Sequence, residues 1–375
     1  MYAVGKHVLI HSKISEDEAA VYDRQIRLWG LDAQNRLRNA AVLLVGLNGF
    51  GAEIAKNIAL AGVRSLTLMD TEKVSDSERF SQFMVSVDAK GINRAQASLA
   101  RCQELNPMVR VTADSEDIES KPEDFFLNYS VVCLINQSSE TNLKISSICR
   151  KLAIKFICGG AWGSLGYFFQ DLMEHKYSEE VVSAVDAGNL DAKDKVVSDQ
   201  QQNDNGEPQT KRMKSDLGSE ASGSGEEHLP TVVRKTESFV PLAEAVSVSW
   251  ISTLSPTKLK RLPVGYFIVN VILRFRSLCG RFPLKSCEVD DSDQLKRIMP
   301  ELCSESGLSA NAISVPEDFP AHCFEALSPV CAVLGGVLAQ EIIKIVSQKD
   351  RPLNNFFVFN GIADSSGTVI KIPPV

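Results

Sequence analysis

Short apolar runs alternate with segments of helical periodicity over the first part of the chain. The runs that indicate buried strands are Ala41–Gly46, Leu66–Asp70, Val109–Thr112, Val131–Ile135 and Ile154–Cys158. The segments that indicate helices are Ile14–Gly30, Gly49–Ala61, Ala89–Leu105 and a helix ending over Ile145–Leu152. Strands that alternate with helices form βαβ units with right-handed crossovers. The pattern therefore predicts an α/β fold with a Rossmann-like, doubly wound parallel sheet.

The first predicted helix, Ile14–Gly30, has a clear start signal. Ser15 and Glu18 have the spacing of a capping box, in which each side chain satisfies a free backbone N–H. From Tyr22 onward an apolar residue recurs every third to fourth position, which predicts one buried face. Arg24 points to the opposite side of this helix.

The alternation stops at a polar stretch. Asp186–His228 holds no aromatic residue and is rich in Asp, Lys, Ser, Gly, Gln and Asn. Such a segment cannot bury enough apolar surface to offset its ordering entropy, so we predict a disordered insertion over 186–235. The chain then divides into an N-terminal tail (1–13), a first part of the fold (14–185) and a C-terminal part (236–375).

The last third of the chain regains order. Phe267–Phe275 and Pro329–Val346 are apolar on most faces, which predicts buried helices, and Gly335-Gly336 would allow close helix approach. Asn354–Phe359 predicts a late strand. We expect this part to pack back onto the same sheet.

The composition argues against several classes of function. The chain has 375 residues, 44% of them hydrophobic, and a net charge of −7, which argues against a broad nucleic-acid surface. The nine cysteines include no C-x-x-C pair, so neither a zinc ribbon nor a disulfide framework is expected. The five histidines have no ligand spacing, and no run approaches the roughly 18 apolar residues that cross a bilayer. We therefore predict no metal site, no nucleic-acid partner and no membrane partner.

A glycine turn joins the first strand to its helix. Gly46, Gly49 and Gly51 would let backbone amides approach a phosphate at the helix N-terminus, and Asp70 follows the second strand where a ribose-binding acid stands in dinucleotide-binding proteins. The spacing is G-x-x-G-x-G, however, and Asn48 occupies a position where the dinucleotide fingerprint requires glycine. A nucleotide site and a purely structural tight turn are both consistent with these residues, and an NAD-dependent oxidoreductase is a disfavoured alternative.

Four segments carry a resemblance: Tyr22–Gly30 (YDRQIRLWG), Val42–Val63, Asn93–Pro107 and Ser328–Gly361. They resemble the ubiquitin-activating, ThiF-like adenylation family. The R-Q pair after Tyr22 and the glycine turn are typical of the whole family, and the last segment is more specific to its SUMO-activating branch. The resemblance covers most of the chain outside the tail and the insertion.

The resemblance implies a ThiF-type adenylation fold that works as half of a heterodimer. The complex would use ATP and Mg to adenylate the C-terminus of a ubiquitin-like modifier, with SUMO expected as that modifier. A larger catalytic subunit would be the obligate partner, and this chain would not be active alone. The alternative within the family is the inactive half that serves the cullin-modifying protein, which has a large helical insertion where this chain has a short polar one.

The residues that hold magnesium in an active half are missing here. In active halves an A-L-D-N type sequence after the fourth strand supplies a carboxylate, and the matching stretch of this chain has Asn136 and Gln137. Neutral amides are poor ligands for a hard dication beside a triphosphate. The N-x-N-R-Q-F run of active halves corresponds to 75–83, which lacks the asparagines. The resemblance thus implies an inactive half, whose degenerate site does not bind the nucleotide, so ATP and Mg would be bound mainly by the partner.

The inactive half of such a pair lends an arginine to its partner. By resemblance Arg24, in Y-D-R-Q, would reach the phosphates of ATP in the partner's site. A planar, permanently charged guanidinium can bridge two phosphate oxygens while pyrophosphate is expelled. On residue chemistry alone, an exposed arginine paired with a neighbour such as Asp23 is the simpler interpretation.

The acyl-accepting nucleophile is expected elsewhere. Family members form a thioester on a cysteine in a separate domain, and no cysteine here lies in a recognisable motif, so the resemblance places it on the partner. The basic cluster Lys211–Lys214 has the character of a nuclear-import signal, although random charge in a solvated linker is the plain alternative. We expect the protein in the nucleus, and also in the cytoplasm.

Overall fold

The computed structural model describes residues 14–76, 81–181, 231–248, 250, 254–255, 262–305, 314–362 and 366–372. Its strands are β1 (Ala41–Val45), β2 (Ser65–Met69), β3 (Arg110–Asp114), β4 (Val131–Ile135), β5 (Lys155–Trp162), β6 (Leu165–Asp171), β7 (Glu174–Val181), β8 (Thr231–Ser238), β9 (Phe356–Asn360) and β10 (Ser366–Ile370). Its helices are α1 (Glu16–Val21), α2 (Asp23–Trp29), α3 (Leu31–Asn39), α4 (Gly49–Ala61), α5 (Arg94–Leu105), α6 (Ser139–Lys151), α7 (Leu242–Val246), α8 (Val264–Cys279), α9 (Glu288–Glu305) and α10 (Ser328–Ser347). The α/β class is confirmed.

Eight of these strands form one sheet in the order β10-β9-β6-β5-β4-β1-β2-β3. The five strands β3, β2, β1, β4 and β5 are parallel, as the alternating pattern predicts. The other three strands, β6, β9 and β10, pair antiparallel, an orientation that the alternating pattern does not predict. A tight turn causes the reversal: Trp162 pairs with Leu165, and Gly163 between them adopts a φ of +48°.

Both faces of the sheet are covered, which confirms the doubly wound arrangement. Alternate residues of β1 point to opposite cores: Leu43 packs with α6 and α8 on one face, and Leu44 packs with α4 and α10 on the other. Helix α10 is long and apolar enough to cross a membrane by length and composition alone, contrary to the sequence expectation. Its most apolar window is 61% buried, and the helix packs on α4 as part of the core.

The N-terminal helical segment is shorter and more broken than the periodicity predicts. The capping box of Ser15 and Glu18 is present in both directions. The helix stops at Tyr22, which ends α1 and begins α2, and Gly30 then separates α2 from α3. The cause is tertiary, because the ring of Tyr22 is buried against other helices.

Strands β7 and β8 form a two-stranded ribbon beside the main sheet, with Val181 paired to Thr231. Residues 231–235 therefore belong to an ordered strand and not to the predicted insertion, since these β-branched and charged residues find a partner in β7. The rest of the predicted insertion and the predicted tail 1–13 lie outside the described residues. Downstream, β9 and β10 join the main sheet, so the C-terminal part packs back onto it as expected.

Candidate functional site

A crevice of about 1000 Å³ opens at the carboxyl ends of the parallel strands. It lies where the strand order reverses, between β1 and β4, which is the usual ligand position in open α/β sheets. Its walls include Gly46 and Gly49 of the glycine turn, Asp70 after β2, and Asn136 after β4. The structure thus brings together most of the residues that the sequence assigned to a nucleotide site.

The glycines of the turn are required by packing. Gly46 has a φ of +94°, and a Cβ there would lie 2.2 Å from the carbonyl oxygen of Ile135. A Cβ on Gly51 would lie 1.9 Å from the carbonyl oxygen of Gly46, and one on Gly49 would lie 2.5 Å from that of Ser81. The glycines are therefore needed for a tight strand–helix connection whether or not a phosphate binds, as the simpler sequence interpretation allows.

The first helix turn of α4 is partly capped by the protein itself. Asn48, the residue that breaks the dinucleotide fingerprint, accepts a 3.1 Å hydrogen bond from the N–H of Gly51. One of the amides that a phosphate would use in a Rossmann turn is thus already bonded to a side chain.

Asp70 is buried and faces the protein. One carboxylate oxygen accepts a 2.6 Å hydrogen bond from the N–H of Leu47. The other oxygen accepts a 2.9 Å hydrogen bond from the N–H of Glu72. Burial raises the pKa of Asp70, although Arg94, 3.5 Å away, and these backbone donors act in the opposite direction. The carboxylate that would hold a ribose instead secures the loops around it.

In active halves of the family, magnesium binds just after the fourth strand. The residues at the matching position of this chain, Asn136 and Gln137, are unsuited to a dication. Asn136 has a φ of +53°, and its Oδ1 accepts a 3.1 Å hydrogen bond from the N–H of Ala161. Gln137 donates its side-chain amide to the carbonyl of Ile135 at 3.0 Å. Both side chains are neutral and engaged with backbone. Across the described ranges, no group of three or more His, Cys, Asp or Glu is arranged to hold a metal ion.

Two arginines that sequence reasoning missed also line this crevice. Arg276 near the end of α8 and Arg281 in the following loop both lie on its rim. Arg281 is held by two hydrogen bonds to Asp291, at 2.7 and 2.8 Å. No motif marks either residue in the sequence, because only the packing of α8 and α9 brings them there.

Arg24 lies outside this crevice. Its helix is fastened at the opposite end of α4, where Gln25 donates a 3.3 Å hydrogen bond to the carbonyl of Leu60 and Tyr22 packs on Gly62. A helix of this length spans roughly 20 Å, so Arg24 is remote from its own chain's glycine turn.

The Arg24 guanidinium is exposed, and it makes no hydrogen bond or ion pair with any residue that the structure describes. The pair with Asp23 that the simpler interpretation suggested is not formed, and Asp23 instead accepts a 3.1 Å bond from Arg27 one turn along α2. The exposure of Arg24 is what that interpretation expects.

A comparison with known proteins shows which family this chain belongs to. The model described as the ThiF family matches residues 22–374. The chain belongs to the ThiF family. A protein named SUMO-activating enzyme subunit 1 from Danio rerio is 46% identical over 353 residues, which is 94% of both chains. The protein of the same name from Homo sapiens is 46% identical over 349 residues, 93% of this chain and 94% of that one. A crystal structure of E. coli MccB with succinimide aligns with 94% of this chain and 71% of that chain, at 12% identity and a TM-score of 0.48.

The thiols of this ThiF-family chain are mostly inaccessible. Seven of the nine cysteines are buried, and only Cys279 and Cys287 are exposed or partly so. Burial raises the pKa of Cys102 to about 11 and those of Cys149 and Cys331 to about 12. These thiols stay protonated at neutral pH, which is the character of structural cysteines.

Proposed function

We propose that this chain is the smaller subunit of a SUMO-activating enzyme. Together with a larger catalytic subunit it uses ATP and Mg, bound mainly by that partner, to adenylate the C-terminus of SUMO. The modifier then passes to a cysteine of the partner. The names of relatives that match 94% of the chain favour SUMO over the cullin-modifying protein, and the family match disfavours an NAD-dependent oxidoreductase.

The observation that carries the proposal is the exposed guanidinium of Arg24, which has no hydrogen-bond or ion-pair partner among the described residues and lies far from its own crevice. An arginine held on a short surface helix without a counter-ion among the described residues is available to an anion on another molecule. Its own crevice cannot supply that anion, because the separation is roughly the full length of α4. The triphosphate of ATP in the partner's site is such an anion. Its negative charge complements Arg24, and ATP is the substrate expected for an adenylating member of this family.

The chemistry of adenylation suits a lent arginine. A carboxylate oxygen of the modifier attacks the α-phosphorus of ATP, the bond to the β-phosphate oxygen breaks, and pyrophosphate leaves with the negative charge. Arg24 would donate N–H groups to the oxygens on which this charge develops. In the second step the partner's thiolate attacks the acyl carbon and AMP leaves.

Four exposed apolar side chains lie on α2, which carries Arg24, or on the helix ends next to it. The apolar collar, which we define as Val21, Leu28, Leu31 and Leu60, is 63%, 77%, 53% and 44% exposed. Clustered exposed apolar side chains mark protein–protein contacts. We infer that the larger subunit covers this collar, because docking there would exclude water around Arg24 and so strengthen its effect.

The proposal has two further parts. The buried thiols described above favour a nucleophile on the partner, with this subunit inactive alone. The basic cluster Lys211–Lys214 favours nuclear localisation; it lies outside the described residues.

ATP–pyrophosphate exchange by the reconstituted heterodimer tests the proposal. Arg24→Ala should leave heterodimer assembly intact and slow exchange by roughly 2–4 kcal/mol in activation free energy. Arg27→Ala is the matched control, because it removes a neighbouring charge that is paired with Asp23, and it should exchange normally. Normal exchange by Arg24→Ala would remove the role of Arg24. Thioester formation by this chain alone would overturn the assignment of the nucleophile.

A further inference from the structure

Tyr22 stands at the break between α1 and α2, two residues before Arg24. It is only 5% exposed, although the residues on either side of it are on the surface. Its backbone (φ −99°, ψ 15°) ends one helix and begins the next, and no side chain caps α2 at this point. The position of the Tyr22 ring therefore fixes where α2 begins, and the bond from Gln25 to the carbonyl of Leu60 holds its first turn.

The ring is seated on a glycine. Gly62 ends α4 with a left-handed backbone (φ +79°), and a Cβ there would lie 2.5 Å from Cζ of Tyr22 and 2.6 Å from its hydroxyl oxygen. Any other residue at position 62 would displace the ring. Gly62 thus serves the end of α4 and also leaves space for Tyr22.

The hydroxyl of Tyr22 is fixed by a second buried side chain. Asn106, 4% exposed at the end of α5, donates from Nδ2 to the Tyr22 hydroxyl at 2.7 Å and to the carbonyl of Ala59 at 2.8 Å. Its Oδ1 accepts a 3.1 Å bond from the N–H of Met108. Asn106 is therefore held on both sides, and the tip of the Tyr22 ring meets a rigid partner.

We propose that Tyr22 is a positioning residue for Arg24, with Gly62 and Asn106 forming its socket; this inference rests on the proposed function. Arg24 makes no hydrogen bond or ion pair within the described residues, so the course of α2 decides where its guanidinium lies. A seven-residue helix is marginal without tertiary anchors. A charged side chain stabilises a transition state best when it is already in position. A displacement of that side chain by about 1 Å can lower the rate on the order of 100-fold.

The test is a double-mutant cycle in the reconstituted heterodimer, read out by ATP–pyrophosphate exchange. Tyr22→Phe keeps the ring and removes the hydroxyl, and Asn106 keeps its bond to Ala59. The variant should lower kcat about fivefold, the value of one lost hydrogen bond, and leave KM for ATP near its original value. In an Arg24→Ala background, Tyr22→Phe should not lower kcat any further, because the residue through which Tyr22 acts is absent.

Matched variants separate positioning from general stability. Tyr129→Phe removes another partly buried hydroxyl, bonded to Thr67 at 3.3 Å, and should leave kcat unchanged. Asn106→Ala removes the same contact from the other side and should also lose its effect on kcat in the Arg24→Ala background.

Each outcome is decisive. An equal loss from Tyr22→Phe with and without Arg24 would overturn the inference, as would an unchanged kcat for Tyr22→Phe while Arg24→Ala is impaired. If Arg24→Ala itself exchanges normally, the proposed role of Arg24 fails first, and the inference falls with it.

Discussion

The carboxylate of Asp70 accepts a hydrogen bond of 2.6 Å from the backbone N–H of Leu47, within the glycine turn. The acid after β2 thus holds the turn itself. Its second oxygen holds the chain after β2 through the N–H of Glu72. The crevice is therefore supported by residues that nucleotide-binding relatives of the Rossmann type use for the ligand.

Removing this carboxylate should harm stability and spare catalysis. Asp70→Ala leaves two N–H groups without an acceptor, which should lower the free energy of unfolding by about 2–4 kcal/mol. Glu123→Ala, which breaks an exposed ion pair with Lys151 at 2.6 Å, is the control and should cost at most roughly 0.5 kcal/mol. Urea denaturation measures both. Exchange by the Asp70→Ala heterodimer, assayed well below its melting temperature, should be normal; a large loss there would mean that this crevice takes part in the reaction.

A charge placed in the apolar collar should weaken assembly. Leu28 is 77% exposed, so Leu28→Glu should change the stability of this chain by no more than about 0.5 kcal/mol. Burying the new carboxylate against the larger subunit should weaken heterodimer formation by at least about 1 kcal/mol. Leu278→Glu, at a 55% exposed site at the end of α8, is the control. Titration calorimetry with the larger subunit compares them, and equal affinities for the two variants would place the interface elsewhere.

Sequence periodicity predicts the parallel half of the sheet because each strand there is a short apolar run between turn residues. It does not reveal β6, since Leu165–Asp171 is buried throughout and lacks the alternation of a half-exposed strand. The spacing of Gly46 and Asp70 locates the crevice. It cannot show that Asp70 turns toward Leu47, because that direction depends on contacts between elements far apart in the chain.

The sequence also does not show which residue of the pair Gly335-Gly336 faces the neighbouring helix, and substitutions at the two positions test the contact. Both were expected at a close helix contact, but only Gly335 faces α4, where a Cβ would lie 2.4 Å from Cβ of Glu53. A Cβ on Gly336 would meet nothing within 4 Å. Gly335→Ala should therefore destabilise the chain by about 1–3 kcal/mol through overpacking. Gly336→Ala should stabilise α10 by roughly 0.5–1 kcal/mol, the helix propensity difference. Thermal denaturation of the two variants checks this, and similar melting temperatures would contradict the assigned contact.

Glu237 in β8 ties the ribbon to the C-terminal segment. It accepts hydrogen bonds from Lys371 at 2.7 Å, Asn354 at 2.9 Å and Arg351 at 3.2 Å. Burial by itself would raise the pKa of Glu237, but these three donors outweigh it and lower the pKa to about 2.

The low pKa of Glu237 predicts an acid-dependent loss of stability. Because the folded pKa lies below the unfolded value of about 4.3, the stabilisation is present above about pH 5 and is lost as the pH falls toward 2. Glu237→Gln should lower the free energy of unfolding at pH 7 by up to roughly 3 kcal/mol and flatten its decline between pH 5 and 3. Glu179→Gln, which breaks the more exposed pair with Lys235 at 2.6 Å, is the matched control and should have a small effect. Urea titrations across this pH range decide the matter: parallel curves for wild type and Glu237→Gln would show that the carboxylate does not titrate with folding.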